Sequence, residues 1–181
     1  DISGLSACNG KDIDVAVEGA LESYSSRVWV DLVPIEKQKI ILKLADLIER
    51  NIEELALLDT LETGRSLRNY YYDSIPKAVK TIRWFANAID KIYDQAVPPR
   101  KNSFATVTRE SLGVVGIITP WNDPLVVAFW KITPALLMGN SVVVKPAEQS
   151  SFSILKVAKL ALDAGIPSGV LSVVPGYGAE A

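Results

Sequence analysis

Three short apolar runs rich in β-branched residues, Leu112 to Thr119, Ser141 to Val144 and Val170 to Val174, are the feature that most restricts how this chain folds. Each stops abruptly in turn formers and polar residues: Pro120-Trp121-Asn122, Lys145-Pro146-Ala147-Glu148 and Pro175-Gly176-Tyr177-Gly178. Continuous apolar runs of this length read as buried strands, and a helix-length segment separates each from the next. Leu125 to Lys131 and Pro134 to Met138 read as an interrupted helix ended by Gly139. Ser150 or Ser151 caps a second helix that runs through Leu155, Ala158, Leu160 and Leu162 to Gly165. The pattern predicts βαβαβ with right-handed crossovers, part of a doubly wound parallel sheet. In such sheets ligands bind beyond the carboxyl ends of the strands.

The first half of the chain reads as helices. Asp12 to Arg27 carries Val15, Ala16, Ala20 and Tyr24 at helical spacing, with Asp12 and Asp14 near its positive end. Pro34 opens a long helix whose apolar face holds Ile41, Leu44, Ile48, Leu55 and Leu58 until Gly64 ends it. A third begins near Ser74-Ile75-Pro76, and its face of Ile75, Val79, Ile82, Ala86 and Ile89 should pack on the second. After a Pro98-Pro99 break the period changes to two over Ser103 to Arg109, as in a strand that leaves the core. The expected division is a helical region at 1–100, an extended strand at 101–111 and a partial Rossmann-like domain at 112–181.

Composition narrows the function. Nineteen basic residues against 21 acidic ones give a net charge of −2 with no charge runs, which argues against a nucleic-acid or anionic-membrane surface. The uncharged stretch Ile132 to Val144 is broken by Pro134, Gly139 and Asn140 and falls short of the ~20 residues of a membrane span. The single cysteine, Cys8, and the absence of a basic-then-apolar pattern at Asp1-Ile2-Ser3-Gly4 point to a reducing, cytoplasmic setting. With no histidine, the chain has no imidazole base, no histidine-ligated metal site and no Ser-His-Asp triad.

The three strand-end motifs, in this order and spacing, resemble the aldehyde dehydrogenase superfamily, most specifically over Gly113 to Gly178. Leu44-Ala45-Asp46-Leu47-Ile48-Glu49-Arg50 and Glu62-Thr63-Gly64 are similar to its amino-terminal region. Ile82-Arg83-Trp84-Phe85-Ala86 and Ala88-Ile89-Asp90-Lys91-Ile92-Tyr93 resemble members acting on amino-aldehydes and related polyamine-pathway aldehydes. The resemblance implies an enzyme in which a cysteine thiolate adds to an aldehyde, the thiohemiacetal gives hydride to NAD(P)+, and water releases the acid. It implies Asn122 as the amide that holds the oxyanion; without the motif, an asparagine there reads as a helix cap.

The same resemblance places Lys145 and Glu148 at the adenosine ribose hydroxyls, within Lys145-Pro146-Ala147-Glu148. It puts Ile118, Thr119, Pro120 and Trp121 along the cofactor cleft and lets Gly176 and Gly178 bring the backbone close to the cofactor. Glu148 would repel the 2′-phosphate of NADP+, so NAD is the expected cofactor. No metal is expected. The implied partners are a small aldehyde and, in the complete enzyme, further copies of the chain.

Two departures matter. Asp123 stands where the family has an aromatic residue that lines the substrate tunnel. It would pair with a cationic group on the substrate, or else turn to solvent or cap the next helix. The family's nucleophilic cysteine, glutamate base, nicotinamide-ribose glutamate and oligomerisation arm lie beyond the region matched by Ala181. Cys8 precedes every motif and does not replace the nucleophile. The chain alone is therefore expected to be inactive, and a truncated nucleotide-binding or protein-interaction module is the alternative. A mononucleotide binder of another family would explain βαβαβ but not the three motifs together.

Overall fold

A computed structural model of the chain describes residues 4–181; residues 1–3, part of the segment read above for an export signal, lie outside it. Helix α1 (Gly10–Ser25) starts at Asn9 with a reciprocal cap. The Asn9 side chain accepts from the Lys11 N–H at 2.9 Å and the Asp12 carboxylate accepts from the Asn9 N–H at 2.8 Å. Its inward face holds Ala20 and Ser23, with Ile13 and Ala16 half-buried. Val15 lies on the solvent side, one position off the face expected from the sequence.

The long helix expected from Pro34 to Gly64 is two helices, α2 (Pro34–Arg50) and α3 (Ile52–Thr63). The break falls at Asn51, whose side-chain amide donates to the Leu47 carbonyl at 2.7 Å, a local bond that competes with continued helix. Gly64 ends α3 in the left-handed conformation at φ 77°, as its position predicts. A short helix α4 (Leu67–Asn69) runs through a π-helical turn, Tyr70–Ser74, into α5 (Ile75–Ala88), so the helical segment begins earlier than Ser74. Ile75, Val79, Ile82 and Ala86 are all buried, and α5 packs on α2 as expected.

The segment read as a Pro-Pro break is strand β1 (Gln95–Arg100), paired antiparallel with β2 (Ser103–Val107). Prolines are tolerated because this is a two-stranded ribbon with free edges, and the register slips between Val97 and Arg100, where they lie. All of β2 is exposed.

The parallel sheet is β3 (Val114–Ile118), β4 (Ser141–Lys145) and β5 (Leu171–Val173), in the order β3-β4-β5. Helix α6 (Pro124–Leu137) connects the first pair and α7 (Phe152–Ala164) the second. Helix α6 passes through Pro134 without interruption. The carbonyl that Pro134 leaves unbonded belongs to Trp130, an exposed residue that water can serve.

Alternation along the strands divides the interior. Ile117, Val142 and Val144 face α6 and α7, with α2 and α5 behind them, in one continuous core that extends from Trp29 to Val170. Val143 and Val174 face the other way, against Ala20 of α1 and the half-buried Cys8, Ile13 and Ala16. Gly169, at φ 82°, allows a close approach of α1 to the turn before β5: a β-carbon there would lie 2.7 Å from the Gly19 carbonyl oxygen.

Candidate cofactor and oxyanion site

Parallel pairing brings three strand ends level. Ile118 is the partner of Lys145, the Thr119 N–H donates to the Lys145 carbonyl at 3.1 Å, and the Val174 N–H donates to the Val144 carbonyl at 2.8 Å. The loops carrying the three motifs therefore leave one edge of the sheet side by side. Asn122 follows β3, Glu148 follows β4 and Gly176 follows β5.

Lys145 is nearly buried, and its ammonium donates to the carbonyl of Gly176 at 2.6 Å and to that of Pro146 at 3.0 Å. An ammonium has three donors, so one remains for a ligand. The Glu148 carboxylate lies 4.0 Å from the Lys145 ammonium and accepts from Gln149 Nε2 at 3.2 Å. A cation with a spare donor beside an accessible acceptor is the arrangement that vicinal hydroxyls require.

Two cavities lie at these strand ends, one of them against Lys145. The larger, 330 Å³, is mostly apolar and is lined by Gly116, Ile118, Lys145, Val143 and Val174 together with Ile13 of α1. The smaller, 90 Å³, is lined by Glu148, Ser151, Gly176 and Tyr177 and by the segment from Leu5 to Ala7. A hollow of 670 Å³ lies elsewhere, between Tyr24, Lys37, Tyr93 and Arg109; none of the predicted site residues lines it.

The individual residues divide by exposure. Ile118, at 73 %, and Trp121, at 52 %, stand open at the edge, whereas Thr119 is buried and Pro120 half-buried. Pro146 is buried and Ala147 half-buried, and the carbonyl of Ala147 accepts from the Ser151 hydroxyl at 3.0 Å. A β-carbon on Gly176 would meet the Cys8 carbonyl oxygen at 2.7 Å, so the space it leaves is used by the amino-terminal segment. That segment is tied there by the Cys8 N–H, which donates to the Pro175 carbonyl at 2.7 Å. Gly178 has nothing within 4 Å of such a β-carbon. Burial, and secondarily Asp12, pushes the Cys8 thiol above its ordinary value, the opposite of an activated nucleophile.

Asn122 is exposed, and its side chain has no hydrogen-bond partner among the described residues. Asp123, not Asn122, is the residue that precedes α6, and its carboxylate does not cap the helix. It accepts instead from Arg65 Nη1 at 2.5 Å and from the Ser74 hydroxyl at 2.6 Å. Arg65 and Ser74 escaped the sequence reading because they lie far from Asp123 in the chain. Lys131 was also missed: from α6 its ammonium donates to the Ile118 carbonyl at 2.9 Å, at the same strand end.

Helix α7 starts differently from the expectation. The side chains of Ser150 and Ser151 do not cap it. Glu62 of α3 does so from outside, its carboxylate accepting from the Ser151 N–H at 2.8 Å and from the Phe152 N–H at 3.0 Å.

A parallel sheet with helices on both faces and three polar loops at one edge defines an α/β protein of Rossmann-like type. The chain belongs to the aldehyde dehydrogenase family, whose model matches residues 1–181. It is 43 % identical over 180 residues to an aminoacetaldehyde dehydrogenase of Pseudomonas aeruginosa, covering 99 % of this chain and 36 % of that protein. It is 45 % identical over 170 residues to the NADP/NAD-dependent aldehyde dehydrogenase PuuC of Escherichia coli, covering 94 % of this chain and 34 % of that one. Among solved structures, an indole-3-acetaldehyde dehydrogenase complexed with NAD+ superposes with a TM-score of 0.97 at 42 % identity, over 99 % of this chain and 36 % of that one. The chain thus spans about a third of the length of these curated relatives.

Proposed function

We infer that this chain is the amino-terminal, NAD-binding portion of an aldehyde dehydrogenase, and that the complete enzyme oxidises an aldehyde to a carboxylic acid through a cysteine adduct. The observation that carries this reading is the Lys145–Glu148 pair at one strand end, level with the loop that presents Asn122. The dinucleotide, when bound, accepts hydride from the substrate. Lys145 and Glu148 would hold the adenosine ribose, one donating and one accepting. Ile118, Thr119, Pro120, Trp121, Pro146, Ala147, Gly176 and Gly178 would line the rest of its path.

Asn122 would donate its amide N–H to the oxygen that gains charge when the thiolate adds. An amide suits that task because it donates without changing protonation. Its exposure leaves that donor free in the absence of substrate. The nucleophile comes from outside these residues, since Cys8 carries a thiol and not a ready thiolate. The chain alone is accordingly inactive. The likeness to an aminoacetaldehyde dehydrogenase, together with the segments Ile82 to Ala86 and Ala88 to Tyr93, supports an amino-aldehyde as substrate. The complete enzyme would be a cytoplasmic homo-oligomer.

The test is to assay the complete enzyme with amino-aldehydes and NAD+, beside the Asn122→Ala variant. Removing one oxyanion donor should lower kcat by about 10²–10³-fold. An Asn122→Ala variant as fast as its parent would remove Asn122 from the chemistry, and a complete enzyme without activity on any aldehyde would end the reading.

A further inference from the structure

We propose that Arg65, Ser74 and Asp123 form a clamp that positions the Asn122 amide, and that Asp123 is therefore a positioning residue and not a docking point for a cationic substrate. The inference rests on Asn122 acting as the oxyanion donor.

Three observations carry it. First, Asp123 sits at φ 50° and ψ 55°, in the left-handed region, immediately before Pro124. Aspartate enters that region more readily than most residues with a β-carbon, but the conformation is uncommon even for it, and a following proline disfavours helical conformations further, so the surroundings help to hold this backbone in place. Second, the carboxylate is committed. Asp123 Oδ1 accepts both from Arg65 at 2.5 Å and from Ser74 at 2.6 Å, two groups on separate turns of the helical layer.

Those two groups are themselves anchored. Arg65 follows the Gly64 turn and lies over the ring of the buried Tyr70, 5.8 Å from its centroid. The Tyr70 hydroxyl is hydrogen-bonded to Thr63 Oγ1 at 2.8 Å. Ser74 is buried at the end of the π-helical turn. Third, the Asn122 side chain has no hydrogen-bond partner of its own among the described residues, so the backbone of its neighbour is what locates it. A preorganised donor needs such support, because a small displacement at the reacting atom is felt directly in the rate.

The clamp explains how an acidic residue can replace an aromatic one beside Asn122. Its charge is neutralised internally, and its side chain is turned toward the helical layer.

The experiment uses the complete enzyme with one cationic amino-aldehyde and one neutral aliphatic aldehyde. Asp123→Ala and Arg65→Ala should each lower kcat on both substrates by about tenfold or more, with KM changing by less than about threefold. Asp123→Gly also deletes the carboxylate but adopts the left-handed conformation freely, so it should keep at least about fivefold more kcat than Asp123→Ala. Adding Arg65→Ala to Asp123→Gly should lower kcat no further.

Equal kcat for Asp123→Ala and Asp123→Gly, with KM raised for the cationic aldehyde alone, would overturn the clamp in favour of substrate docking. Wild-type kcat in Arg65→Ala would overturn it as well. If Arg65→Ala does not fold, Ser74→Ala removes one of the two ties and should lower kcat on both substrates in parallel. Crystal structures of the parent and Arg65→Ala enzymes decide the matter without turnover: Asn122 should move in the variant, and an unmoved Asn122 refutes the clamp. That readout stands even if the enzyme proves inactive on aldehydes, a result that would count against the proposed function alone.

Discussion

The Lys145 ammonium lies 2.6 Å from the Gly176 carbonyl oxygen, so a single side chain at the end of β4 ties down the loop that follows β5. Two of its three donors are used by this bond and by the one to Pro146, and the third is directed by them.

Lys145→Met should therefore weaken NAD+ binding to the complete enzyme and loosen the Pro175–Gly178 loop together. Loss of one charged hydrogen bond of about 1.5–3 kcal/mol corresponds to a roughly 10–150-fold higher Kd. Isothermal titration with NAD+ reads the effect. An unchanged Kd would mean that the ammonium serves the loop and not the ligand.

Glu148 should set the choice between the two dinucleotides. It is 40 % exposed, so solvent screens its repulsion of a 2′-phosphate without abolishing it. Glu148→Gln should narrow the ratio of NAD+ to NADP+ affinity by about tenfold. Parallel titrations with both dinucleotides measure this. Equal affinities in the parent enzyme would contradict the assignment.

Asp59 should make stability depend on pH near neutrality. It is 1 % exposed, and burial, with the nearby Glu62 and Asp123 carboxylates adding to it, pushes its pKa up to about 7. In the unfolded chain the value is about 3.9, so between about pH 4 and 7 the folded state binds the extra proton. Stability should fall as pH rises through that window and level off above it, by at most on the order of 4 kcal/mol. Asp59→Asn keeps the shape and removes the titration. Urea midpoints at pH 5, 6 and 8 should therefore decline for the parent and stay flatter for the variant; identical slopes would dismiss Asp59 as the source.

Local chemistry made much of the fold legible. Gly64 and Gly165 mark helix ends because both stand in the left-handed conformation that glycine alone adopts without strain. The face Ile75, Val79, Ile82 and Ala86 reads as buried because its spacing admits one orientation. The three strands stand close to where their apolar runs put them. What escaped was chemistry between residues distant in sequence. Asn140 read only as a break, yet its Oδ1 accepts from the Leu112 and Gly113 N–H groups while its Nδ2 donates to the Ala135 carbonyl, fastening the start of β3 to the end of α6. The Arg65–Asp123 pair belongs to the same class. Within the candidate site, the motifs pointed to Asn122, Lys145 and Glu148, but nothing local could reveal which of them already had partners.

The carboxylate that completes the start of α7 is lent by α3, from the far side of the β1–β2 ribbon in sequence. A protease nick or a gene split in that ribbon would separate donor from recipient. One piece would keep an anion with no amides to satisfy, the other a helix with bare N–H groups and a stripped core face. The helical layer and the sheet are therefore poor candidates for independent modules, and a functional cut would have to be sought elsewhere along the polypeptide.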